Sequence, residues 1–340
     1  MLTEFWLEAQ KGEVLPSGRS TVADYMDRWL ASHGRKVRVT TLRGYEQAVR
    51  LYIKPEIGHV VLGKLKAMQV DEMYDRFLAR GLSPTTVVNV HRALSKALKQ
   101  AVDLEVIPRN PCERVKPPSK ASVDYAVVRP EHLRQILGEV KGTTWEPFFR
   151  LAIVTGMRRS EMFGLRWDDV DLEERQVTVR RALNYVPRLG WVDGGTKTRK
   201  MRTISIDDET VKTLRERRLR QKEERLRAGP AWQDWGTVFT RPDGRPVSPT
   251  TLAKFWQTLR DRLQLLKRAR FHDLRHAHAT HLVAMGTDLK TVQDRMGHAT
   301  ARLTLDVYSR ALPELGRKAS DGFADLVKDS GKHSGRASEY

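Results

Sequence analysis

The sequence predicts a mainly α-helical protein with a small antiparallel β-sheet in its C-terminal domain. Apolar residues recur at three- and four-residue steps, as in Val22, Tyr25, Met26 and Trp29, which indicates amphipathic helices. Two short segments, 176–181 and 201–206, alternate apolar and polar residues instead, which indicates strands. Prolines crowd the stretch from 108 to 118, where no helix can continue, and this favours a boundary between two domains.

The N-terminal part is expected to be all helical. Residues 1–19 predict one short helix and a connector, and residues 20–112 predict a small helical domain. Its second helix is expected to start at Thr40 and to end at Pro55 and Gly58. The pair Ser83 and Pro84 predicts another helix start, because a side-chain cap precedes proline at the first helical position.

The C-terminal part is expected to mix helices with the small sheet. Residues 113–128 predict a linker, 129–327 a second domain and 328–340 a disordered tail. Pro130 and Pro249 each predict a helix start, and Gly297 predicts a helix end. The whole stretch between the two predicted strands, which contains Gly190, Gly194 and Gly195, is interpreted as one long turn region.

The charge balance favours a polyanionic partner. The chain has 340 residues, with 61 Lys and Arg against 42 Asp and Glu, a net charge of +19. Basic residues recur through every segment, which favours nucleic acid binding, although a merely soluble basic protein is the alternative. Cys112 is the single cysteine, so no internal disulfide can form. The N-terminus lacks the apolar core of a signal peptide, and no run of about 18 apolar residues predicts a membrane span.

One arginine is placed to bind a phosphate. Arg158 follows Thr155 and Gly156 at the end of an apolar helix, so a rigid base presents its planar guanidinium, which matches two phosphate oxygens. Glu161 lies three residues later on the same helical face and can orient it. Arg159 competes with Arg158 by sequence alone, and an ordinary surface ion pair is the alternative interpretation.

A lysine and a histidine could move protons at such a phosphate. Lys197 lies in the predicted turn between the strands, where it can close over a bound backbone and protonate a leaving alkoxide, with Lys200 as a rival. His272 and Arg275 are three residues apart and share a helical face, which pairs a ring that exchanges protons near neutral pH with a fixed charge.

Further histidines follow on the same predicted helix, at His276, His278 and His281. Such a cluster could bind zinc. No cysteine accompanies it and Arg275 crowds it, so helix packing or DNA contact is the favoured interpretation, and we expect neither a metal nor another cofactor.

A tyrosine near the C-terminus could be a nucleophile. His298 follows Gly297, and Tyr308 lies 10 residues after His298. The phenol has an ordinary pKa of about 10, but nearby cations favour the phenolate and a histidine can take the proton. A half-buried core aromatic is the alternative for Tyr308 taken alone.

These motifs together resemble the tyrosine recombinases, specifically the integrases of phages and mobile elements. The resemblance covers residues 20 to 325, and its anchors are the Thr-Gly-x-Arg-x-x-Glu, His-Asp-Leu-Arg-His and Gly-His motifs followed by the tyrosine. It implies a two-domain DNA clamp, with a helical core-DNA-binding domain and a catalytic domain. It also implies one catalytic set: Arg158, Lys197, His272, Arg275, His298 and the nucleophile Tyr308, with Glu161 in support.

The family resemblance implies strand cleavage through a 3′-phosphotyrosine, without ATP or metal, at double-stranded attachment sites of a mobile element. It further implies a homotetramer on DNA. The protein is expected to be cytoplasmic, nucleoid-associated and encoded by a bacterium or phage. A directionality factor and a host DNA-bending protein are possible further partners. A type IB topoisomerase-like enzyme and a non-catalytic DNA-binding regulator are the rival functions.

Two positions depart from the family pattern. Met296 stands where leucine is usual before Gly-His, and His278 replaces a more typical residue. The first is a volume-conserving change of the kind that cores tolerate well. An arm-site-binding domain of strands and a helix is common in such integrases, and only a segment like its last helix is expected within residues 1–19.

Overall fold

The computed structural model describes residues 20–119, 128–194, 201–264 and 269–297, together with residues 316, 317, 320, 321, 323–325 and 327. Helices dominate, and the strands form small antiparallel sheets, so the predicted fold class is confirmed. The chain divides into two compact units between residues 123 and 124. The domain and linker bounds drawn from the sequence stay predictions.

The first unit is a bundle of helices around one apolar core. Its α-helices are α1 (Val22–Gly34), α2 (Val39–Ala48), α3 (Lys54–Ile57), α4 (Ala67–Ala79) and α5 (Pro84–Asp103). Ser83 caps α5 by accepting a hydrogen bond from the Thr86 amide, as the Ser-Pro pair predicts. The core includes Trp29, Phe77 and Leu94, which are almost completely buried.

The helical run passes through Pro55 and ends before Gly58, so the expectation was wrong for Pro55 and holds for Gly58. A π-helical turn, Val49–Ile53, follows α2 directly and leads into α3, which continues to Ile57 before Gly58. The Lys54 amide bonds to the Val49 carbonyl, five residues back. This wider turn takes up the disruption that a proline causes in an α-helix, because Pro55 has no amide hydrogen to donate.

The second unit contains seven α-helices among its described residues from 128 to 297. They are α6 (Pro130–Val140), α7 (Glu146–Thr155), α8 (Arg159–Gly164), α9 (Asp208–Ala228), α10 (Pro249–Arg262), α11 (Phe271–Ala284) and α12 (Leu289–Met296). Pro130 and Pro249 open helices and Gly297 caps one, as predicted. The rings of Phe148, Phe149 and Trp256 pack in the core of this unit.

The two predicted strands pair with each other. The strands are β1 (Val170–Asp171), β2 (Gln176–Val179), β3 (Leu183–Val186), β4 (Gly190–Asp193) and β5 (Arg202–Ser205), and the first sheet has the order β1-β2-β5. Val177 lies opposite Ile204, and both are buried, as the alternation indicates. The stretch interpreted as one long turn contains a second hairpin instead, in which β3 pairs with β4. β3 is buried at both ends and no residue of β4 is buried, so neither strand shows a regular alternation of buried and exposed residues.

The sequence interpretation also missed α9, the longest helix of this unit. Charged residues dominate it, so it has only a weak apolar stripe. It is held in part by buried polar groups. Arg217 forms a two-pronged ion pair with Glu224 and donates to the Val238 carbonyl, while Gln221 donates to the Thr237 carbonyl.

The predicted N-terminal helix and the predicted disordered tail lie outside the described residues. Within the described part of the chain, no helix has the length and apolarity needed to cross a membrane.

Candidate active site

Arg158 sits at a break between two helices. α7 ends at Gly156, which adopts the left-handed conformation with φ of +61°, and Arg158 is the extended residue that precedes α8. Its Nη1 donates to Glu161 Oε1 at 2.8 Å, and its Nη2 donates to the Gly297 carbonyl oxygen at 2.9 Å. The side chain stays 24% exposed, so the guanidinium is oriented and still accessible. Arg159, its competitor by sequence, is exposed at the start of α8.

Glu161 is a buried carboxylate that two arginines share. Its side chain is only 2% exposed, and it accepts hydrogen bonds from the Arg158 side chain, the Arg158 amide and both terminal nitrogens of Arg202. Burial by itself raises its pKa, but the hydrogen bonds and charges of Arg202 and Arg158 outweigh burial and lower the pKa to about 2. Glu161 is therefore ionised at neutral pH.

Arg275 is a buried cation on α11. Its Nη1 donates to the Gly156 carbonyl oxygen at 2.6 Å, and its Nη2 donates to the Met296 carbonyl oxygen. Both acceptors are neutral, so the described residues supply no carboxylate in hydrogen-bond contact with it. Burial first, and then the charge of Arg158, lower the pKa of Arg275 to about 9. An anion beside it would relieve this electrostatic cost.

The end of α12 is the point where the arginines meet. Three consecutive carbonyl oxygens, those of Arg295, Met296 and Gly297, accept hydrogen bonds from Arg202, Arg275 and Arg158 respectively. The last carbonyls of a helix lack intrahelical partners and carry the negative end of its dipole. The three guanidinium groups supply hydrogen bonds to these carbonyls. Residue 298 follows Gly297 directly in the sequence.

His272 lies near the start of α11 and keeps access to solvent. Neighbouring protein atoms that displace water, and then the charge of Arg275, lower its pKa below the ordinary value of 6.5. The ring is therefore mainly neutral at pH 7 and able to accept a proton. The ring of His276 meets it edge-on, with the centroids 5.0 Å apart.

His278 has a packing role that explains its unusual place in the pattern. A side chain at Gly156 would put its Cβ 2.7 Å from the His278 ring and 3.0 Å from the sulfur of Met296. Arg295 donates from Nε to His278 Nε2 at 3.3 Å. Burial, and then the charge of Arg295, lower the pKa of His278 to about 3, so the ring is neutral. The two departures, Met296 and His278, thus pack together against the glycine that turns the chain toward Arg158.

Half of the predicted catalytic set lies in the described part of the chain. Arg158 and Arg275 meet at the end of α12, and His272 lies close enough to both for their charges to act on its ring. Lys197 falls in the gap between residues 194 and 201, and His298 and Tyr308 fall in the gap between residues 297 and 316, so these three lie outside the described residues. Among the described residues, no cluster of three or more His, Cys, Asp or Glu side chains could hold a metal ion.

Sequence interpretation missed the role of Arg202. Basic residues are frequent in this part of the sequence, at Arg199, Lys200 and Arg202, and nothing in the sequence distinguishes Arg202 among them. The only local signal was its position within the alternating segment 201–206, which predicts a strand but not the direction of the side chain.

The described residues thus combine a helical unit with a mixed unit in which an arginine bound to a carboxylate and a second, buried arginine meet at one helix end. The family comparison makes this specific: the model of the phage integrase family matches residues 127–314, more than half of the chain, and the chain belongs to that family. The model of the N-terminal SAM-like domain of phage integrases matches residues 21–78. The resemblance inferred from the motifs is confirmed.

Relatives and solved structures agree with this assignment. A tyrosine recombinase XerC-like protein of Caldanaerobacter subterraneus subsp. tengcongensis is 29% identical over 94% of this chain and 89% of its own. The integrase of transposon Tn1549, solved with transposon right-end DNA, has a TM-score of 0.76 and 21% identity over 89% of this chain and 99% of its own. A lambda integrase tetramer bound to a Holliday junction has a TM-score of 0.60 and 17% identity over 88% and 86% of the two chains.

Proposed function

We propose that this protein is a site-specific DNA recombinase that integrates or excises a mobile element by cutting and rejoining DNA strands through a 3′-phosphotyrosine. The burial and hydrogen bonding of Arg275 support the proposal most directly. Arg275 is a buried guanidinium, bonded only to carbonyls among the described residues and close enough to Arg158 for the two charges to interact. Such a pair suits a phosphodiester, whose two non-bridging oxygens share one negative charge.

The proposed catalytic roles follow from the family resemblance together with the chemistry of each side chain. Arg158 and Arg275 bind the non-bridging oxygens of the scissile phosphate, with His298 as a further donor. Tyr308 attacks phosphorus and displaces the 5′-oxygen, which takes a proton from Lys197, while His272 accepts or positions the phenolic proton. A 5′-hydroxyl of a partner duplex then displaces the tyrosine. One phosphodiester replaces another, so the reaction is balanced without ATP.

Partners are proposed from the same chemistry. The net charge of +19 favours binding to duplex DNA, here the attachment sites of the element. Exchange between two duplexes requires that four strands be cut, so four copies of the chain are proposed to assemble on DNA, as in the lambda integrase tetramer. A directionality factor and a DNA-bending protein remain candidate partners.

The test uses nicked duplexes from which cleavage releases a short strand, so that the covalent complex cannot religate. The duplexes span the chromosomal junctions of the element that encodes the chain and the joined ends of its circular form. The expected result is a covalent protein–DNA product whose peptide maps to Tyr308, formed by the full chain and absent with Tyr308→Phe. A product that persists with Tyr308→Phe would show that another residue is the nucleophile.

The two rival functions give different outcomes. A topoisomerase-like enzyme would relax supercoiled plasmid that lacks any attachment site, and the Tyr308→Phe variant would not. A DNA-binding regulator would bind the duplexes but form no covalent product on any of them. The recombinase is expected to form covalent product and joined strands only on attachment-site DNA.

A further inference from the structure

Arg202 holds a central place in the candidate site although none of the predicted roles includes it. It is the first residue of β5, and its side chain is only 10% exposed. All three guanidinium nitrogens donate hydrogen bonds to protein acceptors: Nη1 and Nη2 to Glu161, at 3.1 and 2.7 Å, and Nε to the Arg295 carbonyl oxygen at 2.9 Å. Three of its five N–H donors are engaged in this way and the side chain is largely buried, so Arg202 is arranged to hold protein acceptors and not to bind a phosphate itself.

Its first effect is on the carboxylate that orients Arg158. A two-pronged contact between a guanidinium and a carboxylate fixes the plane of the carboxylate, because two parallel hydrogen bonds resist rotation. Glu161 Oε1 is also the acceptor for Arg158 Nη1. By fixing Glu161, Arg202 therefore fixes the direction of that hydrogen bond. It also shares the carboxylate charge, so that Glu161 does not neutralise Arg158 alone.

Its second effect is on the other acceptor of Arg158. The Nη2 atom of Arg158 donates to the Gly297 carbonyl oxygen. Arg202 bonds to the same helix end two residues earlier and packs against Gly297 so closely that an added Cβ would lie 2.9 Å from Arg202 Nη1. Gly297 itself adopts φ of +60°, which a side chain would disfavour in any case. Both acceptors of the Arg158 guanidinium are thus held in place by Arg202.

We propose that Arg202 is a positioning residue for Arg158: it fixes Glu161 and the end of α12 so that the Arg158 guanidinium meets the scissile phosphate in a reactive orientation. This inference rests on the recombinase function proposed above. It assigns to Arg202 an effect on the rate of the chemical step and little effect on DNA affinity, which many other basic residues share.

The experiment measures single-turnover formation of the covalent complex across a range of enzyme concentrations, on a nicked duplex that the unaltered chain cleaves. This separates the rate at saturation from the apparent Kd. Arg202→Gln is expected to lower the saturating rate by at least about 10-fold, since misplacement of a catalytic group by about 1 Å can cost up to about 100-fold. Its apparent Kd is expected to change by less than about 3-fold. Arg202→Lys, which keeps the charge but loses the fork, is expected to recover part of the rate.

Arg217→Gln is the matched control. Arg217 is also a buried arginine of the second unit with a two-pronged carboxylate partner, Glu224, and carbonyl and hydroxyl acceptors, but none of its hydrogen bonds reaches the candidate site. It reproduces the general damage of removing a buried ion pair. Rates are normalised to the folded fraction of each variant, so general destabilisation does not lower them.

A double-mutant cycle tests whether Arg202 affects the rate of the chemical step through Glu161. Because Arg202 acts on Arg158 through Glu161 as well as through the end of α12, Arg202→Gln is expected to lower the rate by a smaller factor in the Glu161→Gln background than in the unaltered chain. Arg217→Gln is expected to combine with Glu161→Gln multiplicatively. The inference is overturned if Arg202→Gln slows the chemical step no more than Arg217→Gln, or if its effect multiplies in full with that of Glu161→Gln. Failure of the unaltered chain to cleave any duplex would overturn the proposed recombinase function instead. Should Arg202→Gln fail to fold, Arg202→Lys is subjected to the same cycle.

Discussion

Arg158 donates a hydrogen bond from Nη2 to the carbonyl oxygen of Gly297 at 2.9 Å, across 139 positions of sequence. This contact joins the start of α8 to the end of α12, immediately before His298. Arg275 makes the parallel contact one residue earlier, at the Met296 carbonyl. The two predicted phosphate-binding arginines therefore depend on the same helix end for their orientation.

Removal of the Arg158 guanidinium is expected to slow the chemical step without abolishing DNA binding. Loss of one donor to a phosphoryl transition state costs about 3–4 kcal/mol, or roughly 10²–10³ in rate. Arg158→Ala is expected to show this loss in single-turnover formation of the covalent complex. Its exposed neighbour provides the control, and Arg159→Ala is expected to stay within about 3-fold of the unaltered chain. The reverse order of the two variants would assign the catalytic role to Arg159.

Glu161 is expected to make the stability of the second unit depend on acid pH. Its pKa is lowered from 4.5 to about 2 in the folded chain, so the unfolded state binds more protons through the interval between these values. The stabilisation is present in full above about pH 5 and is lost as the pH falls toward 2, with an upper limit of about 3 kcal/mol.

The measurement is the free energy of unfolding in urea at several pH values from 6 down to about 2.5. Glu161→Gln cannot titrate, so its stability is expected to fall less steeply over this range than that of the unaltered chain. Equal slopes for the two proteins would contradict a lowered pKa at this position.

Much of the fold could be predicted because the signals are local. The Ser-Pro starts at Pro84 and Pro249, the glycine stop at Gly297 and the alternation around Val177 and Ile204 each follow from backbone and side-chain rules within a few residues. The continuation of the helical run through Pro55 could not be predicted, because the π-turn that permits it leaves no mark in the pattern of apolar residues. The highly charged α9 was missed for the same kind of reason, since buried arginine and glutamine take the place of apolar core residues.

The candidate site likewise has contacts that local spacing predicts and contacts that it does not. Glu161 could be paired with Arg158 because the two are three residues apart on one helix. The contacts of Arg202 with Glu161 and with Arg295 span 41 and 93 positions, and they depend on where β5 lies relative to α8 and α12. Local spacing contains no information on such a meeting of distant segments, so Arg202 looked like one basic residue among several.

Gly156→Ala is expected to damage both stability and catalysis. The left-handed φ of +61° disfavours a side chain, and the added Cβ would press against His278 and Met296. The conformational part costs about 1 kcal/mol, and overpacking adds roughly 1–3 kcal/mol. Because Arg275 bonds to the Gly156 carbonyl, the rate of the chemical step is expected to fall as well.

Gly142→Ala is a control that separates the conformational cost of a side chain at positive φ from the cost of overpacking. Gly142 has φ of +74°, but an added Cβ would meet nothing within 4 Å. This variant is therefore expected to lose only about 1 kcal/mol in urea unfolding and to keep its cleavage rate. Equal losses of stability in the two variants would show that the contact with His278 relaxes at no cost.

His272 is expected to set the acid limit of cleavage. Desolvation and the charge of Arg275 lower its pKa below 6.5, so the neutral ring that can accept the phenolic proton predominates at pH 7. As the pH falls through the lowered pKa, the ring becomes protonated and the rate of covalent complex formation is expected to decline by about 10-fold for each pH unit. The rate should change little between pH 7 and 8 on account of this residue.

The measurement is the pH profile of the single-turnover rate at saturating enzyme, for the unaltered chain and for His272→Gln. The variant keeps a polar side chain but has no group that titrates in this range, so its profile is expected to be slower and to lack the acid limb. The charge of Arg275 helps to keep the pKa of His272 low. In Arg275→Gln, which retains His272, the acid limb of the pH profile is therefore expected to lie at higher pH than in the unaltered chain. An acid limb centred above pH 7 in the unaltered chain, or one that persists in His272→Gln, would mean that another group accepts the proton.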